Sequence, residues 1–98
     1  MPKLYEYLGI VIMFYSNEHE PIHVHAKHGG RECKAEILVR NGFVVGVRFI
    51  PVGQGLDSGK QKDLEAFIKL HADAIVKKLV DFFVYKKPIR PELITKRV

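Results

Sequence analysis

Four of the chain's five histidines fall within residues 18–30, in the stretch Glu18-His19-Glu20-Pro21-Ile22-His23-Val24-His25-Ala26-Lys27-His28-Gly29-Gly30. Residues two apart on a β-strand project from the same face, so an extended His23-Val24-His25 presents two imidazoles, ~6–7 Å apart at their Cα atoms. That pair suits a divalent metal such as Zn²⁺, Mn²⁺ or Fe²⁺, whose sites combine imidazole with carboxylate. A third ligand is required, and His19, Glu18 and Glu20 stand in the polar stretch just before, where a turn at Pro21 would fold them back. Without a metal the same pair could act as acid and base, since a histidine near its reference pKa of ~6.5 exchanges protons at neutral pH. His28 has the opposite strand parity and belongs with Val24 and Ala26, away from any metal held by His23 and His25. Set against the metal reading is a plainer one, in which Val24 and Ala26 face a core while His23 and His25 face water or bond to neighbouring strands.

Other residues with chemical potential carry less. Gly53-Gln54-Gly55-Leu56-Asp57-Ser58-Gly59-Lys60-Gln61 looks like a phosphate-binding loop opening a helix. The Walker spacing fails, because Gln54 stands where glycine is needed and Gln61 replaces the hydroxyl that binds Mg²⁺. Nucleotide hydrolysis is excluded, although a helix N-terminus still attracts anions. Cys33 alternates with Ala35 and Ile37 and reads as a small buried hydrophobe. His71 lies on the apolar stripe of a helix and reads as a core histidine.

The elements that must position these residues are legible from periodicity. Ile10 to Tyr15 is a β-rich run, the polar residues 16–21 form a loop ending in proline, and a second strand begins near Ile22. Glu32–Val39 and Phe43–Ile50 both alternate, and Asn41-Gly42 between them signals a hairpin. A two-residue loop there would pair Val39 with Val44 and mix the faces. The expected turn is therefore the three-residue loop Arg40-Asn41-Gly42, pairing Val39 with Phe43 and placing Gly42 left-handed in a G1 bulge. After the glycine-rich stretch from Pro51, Ser58 with Gln61 forms a capping-box signature. A helix then carries Leu64, Phe67, Ile68, His71, Ile75, Leu79, Phe82 and Phe83 on one stripe. Continuous to Tyr85 it would measure ~40 Å, long enough to bend or to project into a partner. The expectation is an α+β single domain over residues 1–98. It comprises a four-stranded antiparallel meander within about residues 10–50, one long C-terminal helix over about 59–86 packed on one sheet face, and a basic tail over 87–98.

Composition sets the outer limits. With 47% hydrophobic and 28% charged residues the chain can bury a core and is unlike a disordered segment. A lone cysteine excludes an internal disulfide, MPKLYEYLGI lacks a secretory n-region, and no apolar run is long enough to span a bilayer. The expectation is a cytoplasmic protein without membrane contact. Net charge is +5, with six basic against five acidic residues up to Ile50 and ten against six thereafter. The basic C-terminal half makes nucleic acid an admissible partner, beside the plainer reading of a solvated lysine-rich helix.

Residues Pro2, Gly9-Ile10, Ile12-Met13, Tyr15, His19-Glu20-Pro21 and His23-Val24-His25-Ala26 resemble the small bacterial proteins grouped as domain of unknown function 4160. That family's hallmark is Asp-His-x-Pro-Pro-His-x-His-Ala; here Glu18 replaces the aspartate and Ile22 the second proline, and His28 falls near a position often aromatic. The likeness covers most of the chain and is most specific over residues 9–30, with Leu70-His71 and Lys87-Pro88-Ile89 compatible. Family members stand in gene pairs that look like toxin–antitoxin modules, which implies a second small protein, self-association or nucleic acid as partner. Two functions follow as expectations. One is a partner-binding module of such a pair. The other is a metal- or histidine-dependent phosphodiesterase acting on RNA, with His23 and His25 at its centre and His19 or Glu18 assisting.

Overall fold

The computed structural model describes residues 2–15 and 22–98. The elements run β1 (Lys3–Tyr7), β2 (Ile10–Met13), β3 (His23–His28), β4 (Arg31–Arg40), β5 (Phe43–Val52), α1 (Ser58–Phe83) and β6 (Glu92–Ile94). The strands form one six-stranded sheet in the order β5-β4-β3-β2-β1-β6. The α+β class with one helix packed on a sheet holds, but the sheet is mixed and six-stranded, not a four-stranded antiparallel meander. β1 adds a strand before Ile10, joined to β2 by Leu8 and Gly9, both left-handed at φ 49° and 82°. β6 pairs parallel with β1, Tyr5 facing Glu92 and Tyr7 facing Ile94, so residues 87–98 are not merely a basic tail. That segment is tied down further by Arg97 to Asp63, Lys78 to Glu92, and the Val98 amide donating to the Tyr7 hydroxyl.

The β4–β5 hairpin corrects the expected turn. Arg40 pairs with Phe43 and Val39 with Val44, so the loop is the two residues Asn41 and Gly42, left-handed at φ 53° and 82°. Such a primed turn matches the right-handed twist of the strands it joins. The face mismatch it creates is absorbed further in: Leu38 pairs with Gly46, leaving Val45 as an extra residue in a bulge. From there inward Ile37 meets Val47 and Ala35 meets Phe49, and the two apolar sets are aligned.

The helix begins one residue earlier than its capping signature suggests. Asp57, not Ser58, is the N-cap, its carboxylate accepting from the Lys60 amide at 2.8 Å. That hydrogen bond holds the Asp57 carboxyl below its usual range. Just before it, Gly55 has φ 71°, and a Cβ there would lie 2.8 Å from the Pro51 side chain. Both the backbone angle and the space demand glycine. The Gly55 carbonyl in turn accepts from Arg31 Nε, fixing the start of the helix to the start of β4.

Leu64, Phe67, Ile68, Ala72, Ile75 and Leu79 form the buried stripe of α1. Phe67 stacks on Tyr7 with centroids 4.5 Å apart and meets Tyr5 edge-on at 5.1 Å, while His71 stacks on Phe67 at 4.2 Å. Burial, and then the Glu92 carboxylate, push the Tyr5 phenol up to about 12, so it stays un-ionised. At its far end α1 packs Phe82 and Phe83 against Phe14. No described helix is long and apolar enough to cross a membrane. Because Phe67 is fully buried between two β1 tyrosines, Phe67→Ala should destabilise the fold by about 3–5 kcal/mol, read from urea denaturation. A loss within experimental error would show that the aromatic cluster does not anchor the helix.

Candidate functional site

The helix covers one face of the sheet, and strand parity decides what appears on the other. Val24 pairs with Ala35 and Ala26 with Cys33, and all four are buried. His23 and His25 therefore lie on the opposite face, where their cross-strand partners are Glu36 and Lys34. Their ring centroids are 5.2 Å apart in a T-shaped arrangement. His28 lies on the helix side, its ring close enough to Gly9 that a Cβ there would stand 3.4 Å away. Cys33 is fully buried on that same side, and burial pushes its thiol up, so it forms no nucleophilic pair with His25.

β4 supplies partners that sequence reasoning missed. Glu32 faces Lys27 across the pair, and its Oε2 lies 2.8 Å from His25 Nδ1 while Oε1 lies 3.7 Å from Lys27 Nζ. An ionised carboxylate only accepts, so in this contact the hydrogen is donated from His25 Nδ1. The His25 ring meets Tyr15 edge-on at 4.6 Å, and Lys27 Nζ donates to the Tyr15 hydroxyl at 3.4 Å. Tyr15, His25, Lys27 and Glu32 are thus a connected group, with His23 against its flank.

Beside it Arg48 binds Glu36 through both Nε, at 2.8 Å, and Nη2, at 2.6 Å. Glu36 is only 6% exposed, and the Arg48 hydrogen bond holds its carboxyl below the ordinary range, overcoming the opposing effect of burial. The signal for all of these was present in the alternation of Glu32, Lys34 and Glu36 opposite Cys33, Ala35 and Ile37. What it lacked was the register, set by the left-handed Gly29-Gly30 turn that pairs His28 with Arg31.

His23 and His25 supply two imidazoles for a cation, and Glu32 occupies the place of an outer partner that orients a ligating histidine. Among the described residues no group of three or more His, Cys, Asp or Glu side chains could hold a metal ion. The expected further ligands His19 and Glu18, with Glu20 and the turn at Pro21, lie outside the described residues.

A group whose carboxyl is depressed in the fold stabilises it above the unfolded-state value, and that contribution is lost as pH falls through the folded value. Wild type should therefore exceed Glu36→Gln in stability at pH 7, the gap closing as pH drops below the ordinary carboxylate range. Thermal unfolding across pH 3 to 7 checks this; a gap independent of pH would sink the assignment.

The family described as Domain of unknown function (DUF4160) matches residues 9–79, from the first turn through most of the helix. No curated protein and no solved structure matches the chain. With most of its length matched, the chain belongs to the DUF4160 family.

Proposed function

We propose that the chain is a partner-binding module, one component of a toxin–antitoxin-like pair, which grips protein through the β4–β5 hairpin and the outer edge of β5. The observation that carries this reading is apolar surface where a solitary protein would place charge. Phe43 is 74% exposed and Val45 60% at the tip of β5, with Leu38 and Val39 also exposed beside them on β4. Single exposed hydrophobes are ordinary, whereas a contiguous group on an edge strand marks a contact surface. Nucleic acid is a second partner in this reading, met by the exposed lysines of α1 and the segment after it, with an affinity that falls as salt rises.

Co-expression with the product of the neighbouring gene, followed by size-exclusion chromatography with light scattering, tests the reading. The wild-type chain should elute in an oligomer or complex, and Phe43→Ser with Val45→Thr should release it as a folded monomer. A wild-type chain that stays monomeric in both settings, with no retention on RNA or DNA at low salt, would overturn it.

A second reading is favoured by the 2.8 Å contact between His25 and Glu32. A histidine that donates to a carboxylate, with His23 beside it and Lys27 and Arg48 nearby to meet phosphate, is equipped for phosphodiester cleavage in RNA. His25 would exchange the proton and Glu32 would position it. His25→Ala should lower cleavage by roughly 10²–10⁴-fold. Glu32→Gln should cost less and shift the pH profile. If wild type and the His23→Ala/His25→Ala double variant are equally inert on RNA, and untagged protein contains no metal, this reading falls.

A further inference from the structure

The two edges of the sheet are finished differently. β6 is three residues long, follows Pro91, and has Glu92 paired to Lys78, which are ordinary devices for discouraging a further strand. β5 is ten residues long, and its one charged residue, Arg48, is turned to Glu36 of its own chain. No described element pairs with its outer side.

The direction of its backbone groups follows from one hydrogen bond. The Ile37 amide donates to the Ile22 carbonyl at 2.8 Å, so the amide and carbonyl of Ile37 point toward β3. Along a strand these groups alternate sides, so Glu36 directs its own toward β5 and bonds its partner there, Arg48. Val47 and Phe49 then turn their N–H and C=O groups outward. Pro51 has the same parity and pairs in register with Cys33, so its missing N–H costs the ladder nothing. An edge of this length therefore carries usable donors and acceptors with no charge guarding them.

We propose that β5 pairs antiparallel with β5 of a second copy of this chain, about a twofold axis at Val47. This rests on the reading of β5 as a protein-binding edge and names its occupant. Three features favour a second copy over another polypeptide. The strand complements itself: with Val47 opposite its own counterpart, the bulge residue Val45 comes beside Phe49 of the partner copy, and the tip bearing Phe43 is displaced from the ladder. Gly46 falls opposite Arg48 of the partner copy, leaving room for the guanidinium, whereas an axis at Arg48 would set two guanidiniums against each other. The edge is also locally neutral, Arg48 being balanced by Glu36, so a chain of net charge +5 meets no repulsion at this line of contact. The product is a continuous sheet with both helices on one side and both histidine faces on the other.

Amide hydrogen exchange by NMR on the purified wild-type chain, in dilute and concentrated solution, reads the pairing directly. The Val47 and Phe49 amides should exchange at least about tenfold more slowly at high concentration, while those of Arg48 and Ile50, bonded to β4, stay protected throughout. Val47→Pro removes an outward donor without breaking a bond to β4 and should abolish the dimer in light scattering. Val45→Lys, at an exposed position, should do the same and leave the melting temperature of the dilute chain unchanged. The proposal is overturned if Val47 and Phe49 exchange freely at every concentration. A chain monomeric alone that still joins its neighbour's product through Phe43 overturns the second-copy assignment and leaves the binding reading standing. A chain monomeric in both settings removes the second copy and the protein-binding edge together.

Discussion

Phe67 sits between Tyr5 and Tyr7, and through that contact a helix more than fifty residues away fastens the first strand. The placement of other elements is linked to it. β1 held against α1 gives β2 a partner through the Leu8-Gly9 turn and gives β6 a strand to lie beside. Lys60 extends the same tether by donating to the Leu8 carbonyl at 2.7 Å, joining the start of α1 to that turn. The aromatic contact is directional as well as apolar, since a stacked pair and an edge-on pair on the same ring fix its orientation as greasy burial alone would not.

One helix on one face imposes strict alternation on the central strands. β3 cannot shift by a single residue without putting His23 and His25 into the core and Val24 and Ala26 into the open, which apolar burial opposes strongly. The constraint that holds the core in register thus also fixes which side chains gather outside it. Glu32 reaches His25 because Cys33 must face Ala26, and Glu36 meets Arg48 because Ala35 must face Phe49. The polar group on the outer face is a consequence of packing on the inner one, which is how a small sheet can hold functional side chains on rigid elements.

Local signals were legible in the sequence and long-range ones were not. The helix stripe, the face of His23 and His25, and the burial of Cys33 all follow from periods of 3.6 or 2. β1 was harder to read because Leu4 and Tyr5 are both buried where a register shift interrupts alternation, and because its turn places Leu8 in a left-handed conformation with no asparagine to announce it. β6 is three residues between a proline and the chain's end, paired parallel with a strand 87 residues earlier, and nothing local encodes that (Glu92 opposite Tyr5). The β4–β5 turn shows a different failure. The demand that apolar faces match was right, but the chain meets it with a bulge at Val45 and keeps the favoured turn at Asn41-Gly42. The His25–Glu32 contact needed the register of a second hairpin before it could be seen.

That bulge also bears on where the molecule meets others. By taking up one residue near the tip, it keeps Val47 and Phe49 turned toward the core while Val45 and Phe43 are left outside it. Without the bulge the same register would have paired Val39 with Val45 and left Asn41, Gly42 and Phe43 as the loop. Bulges commonly protect an edge by twisting it away from further pairing. Here the bulge lies at the tip only, and the run from Val47 to Val52 pairs with β4 without further interruption. The irregularity therefore separates two roles within one strand: a regular stretch whose inner side completes the core, and a displaced tip whose apolar side chains are available for contact.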